Sequence, residues 1–505
     1  MKNVLEYLEH TAARLPHKTG AEDKNGSVTF AQLLELSQRT GSALAGKLFP
    51  GQPVAVFMEK GIPALTSFFG AVYGGGFYVL INPALPPSRI QKIQEVLETD
   101  YVITDKAHGD LAEEFFPHAA RLFIEEISQG EICREQLELV RTLMNSTDPL
   151  YAMFTSGSTG TPKGVLVSHQ AVLDFMEDFT GLFSLDETQI LGNQAPFDFD
   201  VSVKDIYSSL KTGATLSIIP RELFSRPQQL LDWLCDHKIT TLIWAVSALC
   251  LVSTFHGLEY RQPVDVKQVF FSGEEMPLKH LETWRKHLPH AQFVNLYGPT
   301  EITCNCTYHV LRPEQDYREG IPIGRAFPKR RVFLLDQEDR EITVPNQPGE
   351  ICVSGSSLSL GYYRSPEQTG AVFVDNPLNK GFSEPIYRTG DLGKYGETGQ
   401  LYFCGRKDFQ VKYMGHRIEL EEIQRAVASL PGVDRCCCVF HREKQRIYGF
   451  YTGDLPKKEL HRQLGSLLPV YMIPGAFYNI PQFPLTKNGK IDRELLLKRR
   501  DSYDG

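Results

Sequence analysis

The apolar run Leu150-Tyr-Ala-Met-Phe154 leads straight into a loop, Thr155-Ser-Gly-Ser-Thr-Gly-Thr-Pro-Lys-Gly164, rich in hydroxyls and glycine and closed by a lysine. A short buried strand that ends in such a loop commits this part of the chain to an α/β sheet, where ligands bind at the carboxyl ends of strands. Backbone N–H groups freed by glycine, together with the hydroxyls and one ammonium, make a cradle for a polyphosphate. The loop therefore predicts a nucleotide. Its Pro162-Lys163 stands where a Walker A loop has Gly-Lys followed by Ser or Thr, which excludes the ordinary P-loop kinase or GTPase.

At 505 residues the chain is too long for one hydrophobic core, so two or three domains are expected. A net charge of −8 and the lack of any long basic run argue against nucleic acid as a partner. The amino terminus, MKNVLEYLEHTAARLPHK, lacks the continuous apolar stretch of a signal peptide, and a cytoplasmic location is expected. The most apolar window, Ala64 to Ile81, is interrupted by Gly74-Gly-Gly76 and reads as a buried helix followed by a strand, not a membrane span. None of the ten cysteines forms a C-x-x-C pair, so reduced thiols are expected in place of zinc or disulfides.

Amphipathic helical stretches such as Ala31–Gln38 alternate with apolar strands such as Val54–Phe57 through the first three-quarters of the chain. Between about 320 and 402 short β-rich pieces take over, and after Gly405-Arg406 a compact α+β tail follows. The expected fold is α/β: a large amino-terminal domain over 1–407 with doubly wound sheets and a small β-barrel, then a small mobile α+β domain over 408–505.

Five further segments follow the loop in order: Asn295-Leu-Tyr-Gly-Pro-Thr-Glu301, Tyr387-Arg-Thr-Gly-Asp-Leu392, Gly405-Arg-Lys-Asp-Phe-Gln-Val-Lys412, Gly415-His-Arg-Ile-Glu419 and Asn488-Gly-Lys-Ile-Asp-Arg493. Together they resemble the core motifs of the adenylate-forming enzymes, the superfamily of amino-acid adenylation domains, acyl-CoA synthetases and luciferases. The resemblance implies ATP and Mg²⁺ as cofactors. It implies that Thr155, Ser156, Gly157, Ser158, Thr159, Gly160 and Lys163 hold the phosphates, that Thr300 bonds a phosphate oxygen and that Glu301 is a Mg²⁺ ligand. Asn295, Tyr297 and Gly298, with Gly273 and Glu274, would meet the adenine; Asp391 would accept the ribose hydroxyls and Arg406 would reach the ribose and phosphate. Lys490 would bridge the substrate carboxylate and the phosphate, and Asp408 would be the hinge of the small domain. The chemistry suits these residue types, because attack of a carboxylate on the α-phosphate is catalysed by positioning and electrostatics.

Asn193-Gln-Ala-Pro-Phe-Asp-Phe-Asp-Val-Ser202 carries Asp200 where amino-acid adenylation domains hold the α-ammonium of the substrate. A plain carboxylic acid would leave that charge unpaired at a cost of several kcal/mol. The other reading is an aspartate that caps the following helix. By motif the remaining pocket positions are Val201, Lys204, Trp244, Phe270, Ser272, Leu296, Cys304 and Asn305; Phe270, Ser272 and Leu296, with Asp200 and Val201, resemble serine-type pockets, and the bulk of Trp244 leaves little room for a long side chain, so a small amino acid of the alanine or serine kind is expected. Lys204 either pairs with an acidic substrate or snorkels away from the site. Over its whole length the chain is also similar to the freestanding D-alanine:carrier protein ligases, which have an apolar residue where Lys204 stands and a cysteine where Ser272 stands. With no carrier-type serine motif after Asp492-Arg493, the thiol acceptor is expected in trans, either the phosphopantetheine arm of a separate carrier protein or free CoA. Gly415 would line the tunnel for that arm, where a side chain would obstruct a thin ligand.

Overall fold

The computed structural model describes residues 1–157, 160–442, 444–485 and 491–503. Lys490, Ser158 and Thr159 lie outside the described residues. The chain divides into two compact units, the first made of residues 1–83, 97–153 and 164–407, the second of residues 84–96, 154–163 and 408–505.

The first unit is built on two large sheets. One has seven strands, and at its centre Pro53–Phe57 lies parallel to Phe77–Leu80 and to Tyr101–Thr104. Every residue of Pro53–Phe57 is buried, as an unbroken apolar run requires when both faces of a parallel sheet are covered. The helix Ile62–Tyr73 makes the crossover; it starts at a proline, and residues 64 to 73 are all buried. The apolar window at 64–81 is thus a core helix followed by a strand, and no helix among the described residues is long and apolar enough to cross a membrane. A capping box between Thr29 and Gln32 starts the neighbouring helix Phe30–Leu44.

The second sheet has nine strands. Its parallel block runs Gln292–Tyr297, Gln268–Ser272, Thr241–Ala245, Ile190–Asn193, Thr215–Ile218 and Thr19–Asp23, with antiparallel strands at both edges. The β-rich region after residue 320 forms a five-stranded antiparallel sheet in which Pro385–Tyr395 pairs with Gly349–Gly355, Phe373–Asp375 and Leu401–Arg406.

In the second unit, the hairpin Gln410–Tyr413/His416–Glu419 leads into the helix Leu420–Ala428. A three-stranded sheet of Val433–His441, Arg446–Gly453 and Ala476–Asn479 follows, packed on that helix and on Lys457–Leu464 through Ile423, Val427, Leu460 and Leu464. All ten cysteines are free thiols.

One buried charge pair organises the first unit around its candidate site. Arg330 donates to Asp178 at 2.6 Å with both side chains buried, and its Nε donates to Ser357 Oγ at 2.8 Å. The guanidinium also lies over the rings of Phe175 and Phe327. Removing one partner of such a pair leaves an uncompensated charge in the core. Arg330→Met is expected to lower stability by about 3–5 kcal/mol, and adding Asp178→Leu to recover most of that loss; urea denaturation of the two variants checks both.

Candidate active site

Three of the side chains expected to meet adenosine, Tyr297, Asp391 and Arg406, form a connected cluster at the carboxyl end of Gln292–Tyr297. Asp391 is buried and accepts from the Tyr297 hydroxyl at 2.5 Å; Arg406, its register partner on the adjacent strand, donates to its other oxygen. Burial, then the neighbouring Asp391, holds the Tyr297 phenol well above its usual range, so it remains a donor. Thr389 Oγ1 takes the Asp391 N–H at 3.0 Å and donates to the Ile351 carbonyl at 2.8 Å. Asn295 is committed elsewhere, its amide donating to the Pro322 carbonyl at 2.9 Å.

Glu301 sits in the single-turn helix Thr300–Ile302, fully buried, and accepts from the Tyr362 hydroxyl at 2.7 Å. Among the described residues no group of three His, Cys, Asp or Glu side chains could hold a metal ion. One carboxylate suits a Mg²⁺ that arrives on nucleotide phosphates and keeps several waters, since Mg²⁺ is usually held by one or two carboxylates.

The helix turn ends in a left-handed corner. Thr303 and Cys304 have φ of 54° and 73°, a conformation costing roughly 1–3 kcal/mol for each non-glycine residue. The corner is held by Thr303 Oγ1 donating to the Ser357 carbonyl at 2.8 Å, beside the Ser357 hydroxyl that Arg330 grips. Gly298 completes it, because a Cβ there would stand 2.5 Å from Asn305 Cα.

The corner faces the residues expected to select the acid. Cys304 Sγ donates to the Asp200 carbonyl at 3.1 Å, and Lys204 Nζ donates to Asn305 Oδ1 at 2.8 Å. Asp200 precedes the helix Val201–Thr212, and its side chain makes no capping bond; the reading of a plain helix cap falls away. On the sheet, Ser272 lies opposite Leu296 in register, and Phe270 is two residues away on the same face. Trp244 does not join them. It lies opposite Phe271, its ring packs edge-on to Phe224 and Trp284, and its N–H donates to the Gly192 carbonyl at 2.7 Å. Ile243 and Ala245, register partners of Phe270 and Ser272, occupy the face expected for Trp244. The period of two along a strand moves a misassigned neighbour to the wrong side of the sheet.

Sequence reading missed the polar layer behind these residues. Asp205 is fully buried, accepts from Asn193 Nδ2 at 2.8 Å through one oxygen, and its other oxygen has no hydrogen-bond partner. Lys60 donates to Asn193 Oδ1 at 3.1 Å and to the Gln194 carbonyl at 3.0 Å. Burial pushes the Asp205 carboxyl up to about 7 against the pull of Asn193, Lys204 and Lys60, and burial brings Lys60 down to about 7. Asn193 lies within the quoted Asn193–Ser202 motif, the one signal that pointed here; Lys60 is contributed by a distant loop.

In the second unit, within the loop expected to hold phosphates, the Gly160 N–H donates to the Gly157 carbonyl at 2.9 Å. Ser156 Oγ donates to the Arg417 carbonyl at 2.7 Å, and Lys92 Nζ donates to the Gly160 carbonyl at 3.1 Å. Arg89 and Glu422 form a buried pair at 2.6 Å; burial raises the Glu422 carboxyl and Arg89 opposes that shift. Thr155 ends the strand Pro149–Thr155 and Lys163 starts the strand Lys163–Ser168. Asp408 Oδ1 accepts from Gln410 N–H at 3.1 Å. Met414 and Gly415, at φ of 52° and 79°, form a two-residue hairpin turn, which by itself calls for glycine at the second position.

A family model described as AMP-binding enzyme matches residues 8–363. The chain belongs to the AMP-binding enzyme family. It is 30% identical to a D-alanine–D-alanyl carrier protein ligase of Bacillus mycoides (strain KBAB4), over 98% of this chain and 99% of that protein. It is also 30% identical to tyrocidine synthase 3 of Brevibacillus parabrevis, over 98% of this chain, and spans 8% of that relative's length. In structure it is similar to the Vibrio cholerae adenylation domain AlmE, solved with glycyl-adenosine-5'-phosphate, at a TM-score of 0.85 and 22% identity over 99% of this chain and 98% of that one.

The raised Asp205 carboxyl has a signed consequence for stability. The folded AMP-binding enzyme holds this proton more tightly than the unfolded chain, so the group costs stability as pH rises from the ordinary carboxylate range to about 7. Asp205→Asn removes that term, and the wild type is expected to lose stability relative to the variant between about pH 5 and about pH 7; urea midpoints of both proteins across that range measure it.

Proposed function

We propose that this enzyme joins an amino acid to the α-phosphorus of ATP, releases pyrophosphate, and passes the aminoacyl group to the phosphopantetheine thiol of a carrier protein, with AMP leaving. The observation that carries the reading is Asp200, a carboxylate at a helix start that it does not cap, beside the Cys304 corner. Its charge suits the α-ammonium of an amino acid. The names of relatives support the same class: one is a D-alanyl carrier protein ligase, and AlmE was solved with a glycyl adenylate.

In this reading Asp391, with Tyr297 and Arg406 fixing its two oxygens, accepts the ribose hydroxyls. Glu301 offers a carboxylate to the Mg²⁺ carried by ATP, which shields phosphate charge. The Thr155 to Lys163 segment and Thr300 hold phosphate oxygens, and Lys490 neutralises charge as the substrate carboxylate attacks. The Ser272 and Leu296 face receives the side chain. Its size limit loosens, because Trp244 was one of the two grounds for expecting a small amino acid and its ring points to the other side of the sheet; the likeness of Phe270, Ser272 and Leu296 to serine-type pockets is the ground that remains.

ATP–pyrophosphate exchange over all amino acids and both alanine enantiomers tests the proposal. Exchange that depends on an amino acid, with AMP as the nucleotide product, is expected; exchange only with fatty or aryl acids would make the enzyme an acyl-CoA synthetase instead. Asp200→Ala should lower amino-acid-dependent exchange by at least about 100-fold with ATP binding retained. Lys490→Ala should slow adenylation by about 100-fold or more, read as single-turnover formation of the adenylate.

A further inference from the structure

Lys204 sits on the helix Val201–Thr212, one turn after Asp200, with only 1% of its surface exposed. Its ammonium has three donors, and among the described residues its one hydrogen-bond partner is the neutral amide oxygen of Asn305 at 2.8 Å. A buried ammonium with one neutral acceptor is costly unless an anion completes it. Nor does Lys204 snorkel to water, the other course open to a long cationic side chain.

The nearby groups do not supply that anion. Asp205, the next residue, is turned to Asn193, and burial favours its protonated form up to about pH 7. Burial pushes the Cys304 thiol far up, and likewise the Tyr78, Tyr151 and Tyr207 phenols, so these stay neutral. Lys60, on the far side of Asn193, carries no negative charge in either protonation state. Asp200, under the reading above, is taken by the α-ammonium of the substrate. Loading a neutral amino acid would therefore leave Lys204 without a counter-charge. An amino acid with a second carboxylate cancels both charges.

We propose that Lys204 is a specificity-determining residue, and that the preferred substrate is an amino acid with a carboxylate side chain, of the aspartate or glutamate class. The proposal rests on the amino-acid reading of Asp200 and adds the side-chain chemistry to it. Asn305 orients the ammonium, and the strained Thr303–Cys304 corner fixes Asn305. With Trp244 on the opposite face, the bulk that would have restricted the site to alanine or serine is absent from this wall.

The test is ATP–pyrophosphate exchange by the full chain with each amino acid in both enantiomers, repeated on Lys204→Met and Lys204→Gln. An acidic amino acid is expected to give the highest kcat/KM. Both variants should lower that value by about 100-fold or more, mostly through KM, with an unchanged Kd for ATP, and should shift the ranking toward neutral side chains. If wild-type enzyme prefers alanine, serine or glycine over every acidic amino acid, the proposal is overturned while the amino-acid reading stands, an outcome that needs no variant to fold. If no amino acid supports exchange, the reading of Asp200 fails and this inference fails with it.

Discussion

The left-handed corner at Thr303 and Cys304 is the constraint on which the candidate site in the first unit turns. A β-branched residue at positive φ is unfavourable by itself, so it persists only where its surroundings over-determine it. Here they do so through Ser357, whose carbonyl takes the Thr303 hydroxyl and whose own hydroxyl is held by Arg330, itself locked to Asp178. The strain places two consecutive side chains, Cys304 and Asn305, against the start and the first turn of one helix. A regular strand would have sent them to opposite faces.

Buried charge is distributed differently in the parts of that unit. Around Asp391 it is satisfied: Tyr297 bonds one oxygen and Arg406 the other. Behind the acid-selecting wall it is not, since one oxygen of Asp205 is unpartnered and Lys204 has a single neutral acceptor. A satisfied cluster rigidifies, whereas an incomplete one stores a desolvation cost that the right ligand relieves. Under the proposed function, the two behaviours suit a nucleotide site that holds one fixed ligand and an acid site that must discriminate among substrates.

The second unit also relies on contacts distant in sequence. Ser156 and Gly160 of the 154–163 segment are tied to backbone and lysine groups of that unit, and Arg89 and Glu422 form a buried pair. Each contact joins residues far apart in the chain, so none could be read from local pattern. Gly415 is instructive in another way. A glycine read as clearance for a ligand is already required by the hairpin turn that contains it.

Order and spacing of the motifs, the apolar runs of parallel strands and the β-rich change near residue 320 were legible because each is a local property of a few residues. From them alone the chain determined an α/β fold, and they singled out the 154–164 loop and the carboxylates Asp200 and Asp391 as candidates. Tertiary structure alone decided which neighbours those carboxylates meet. Trp244 shows why: one residue along a strand reverses the face, and only the register with Phe271 reveals the side taken. Lys204 shows it again, for whether a lysine reaches water or is sealed against Asn305 depends on atoms a hundred residues away, and burial, which sets the cost of its charge, is a property of the packed whole.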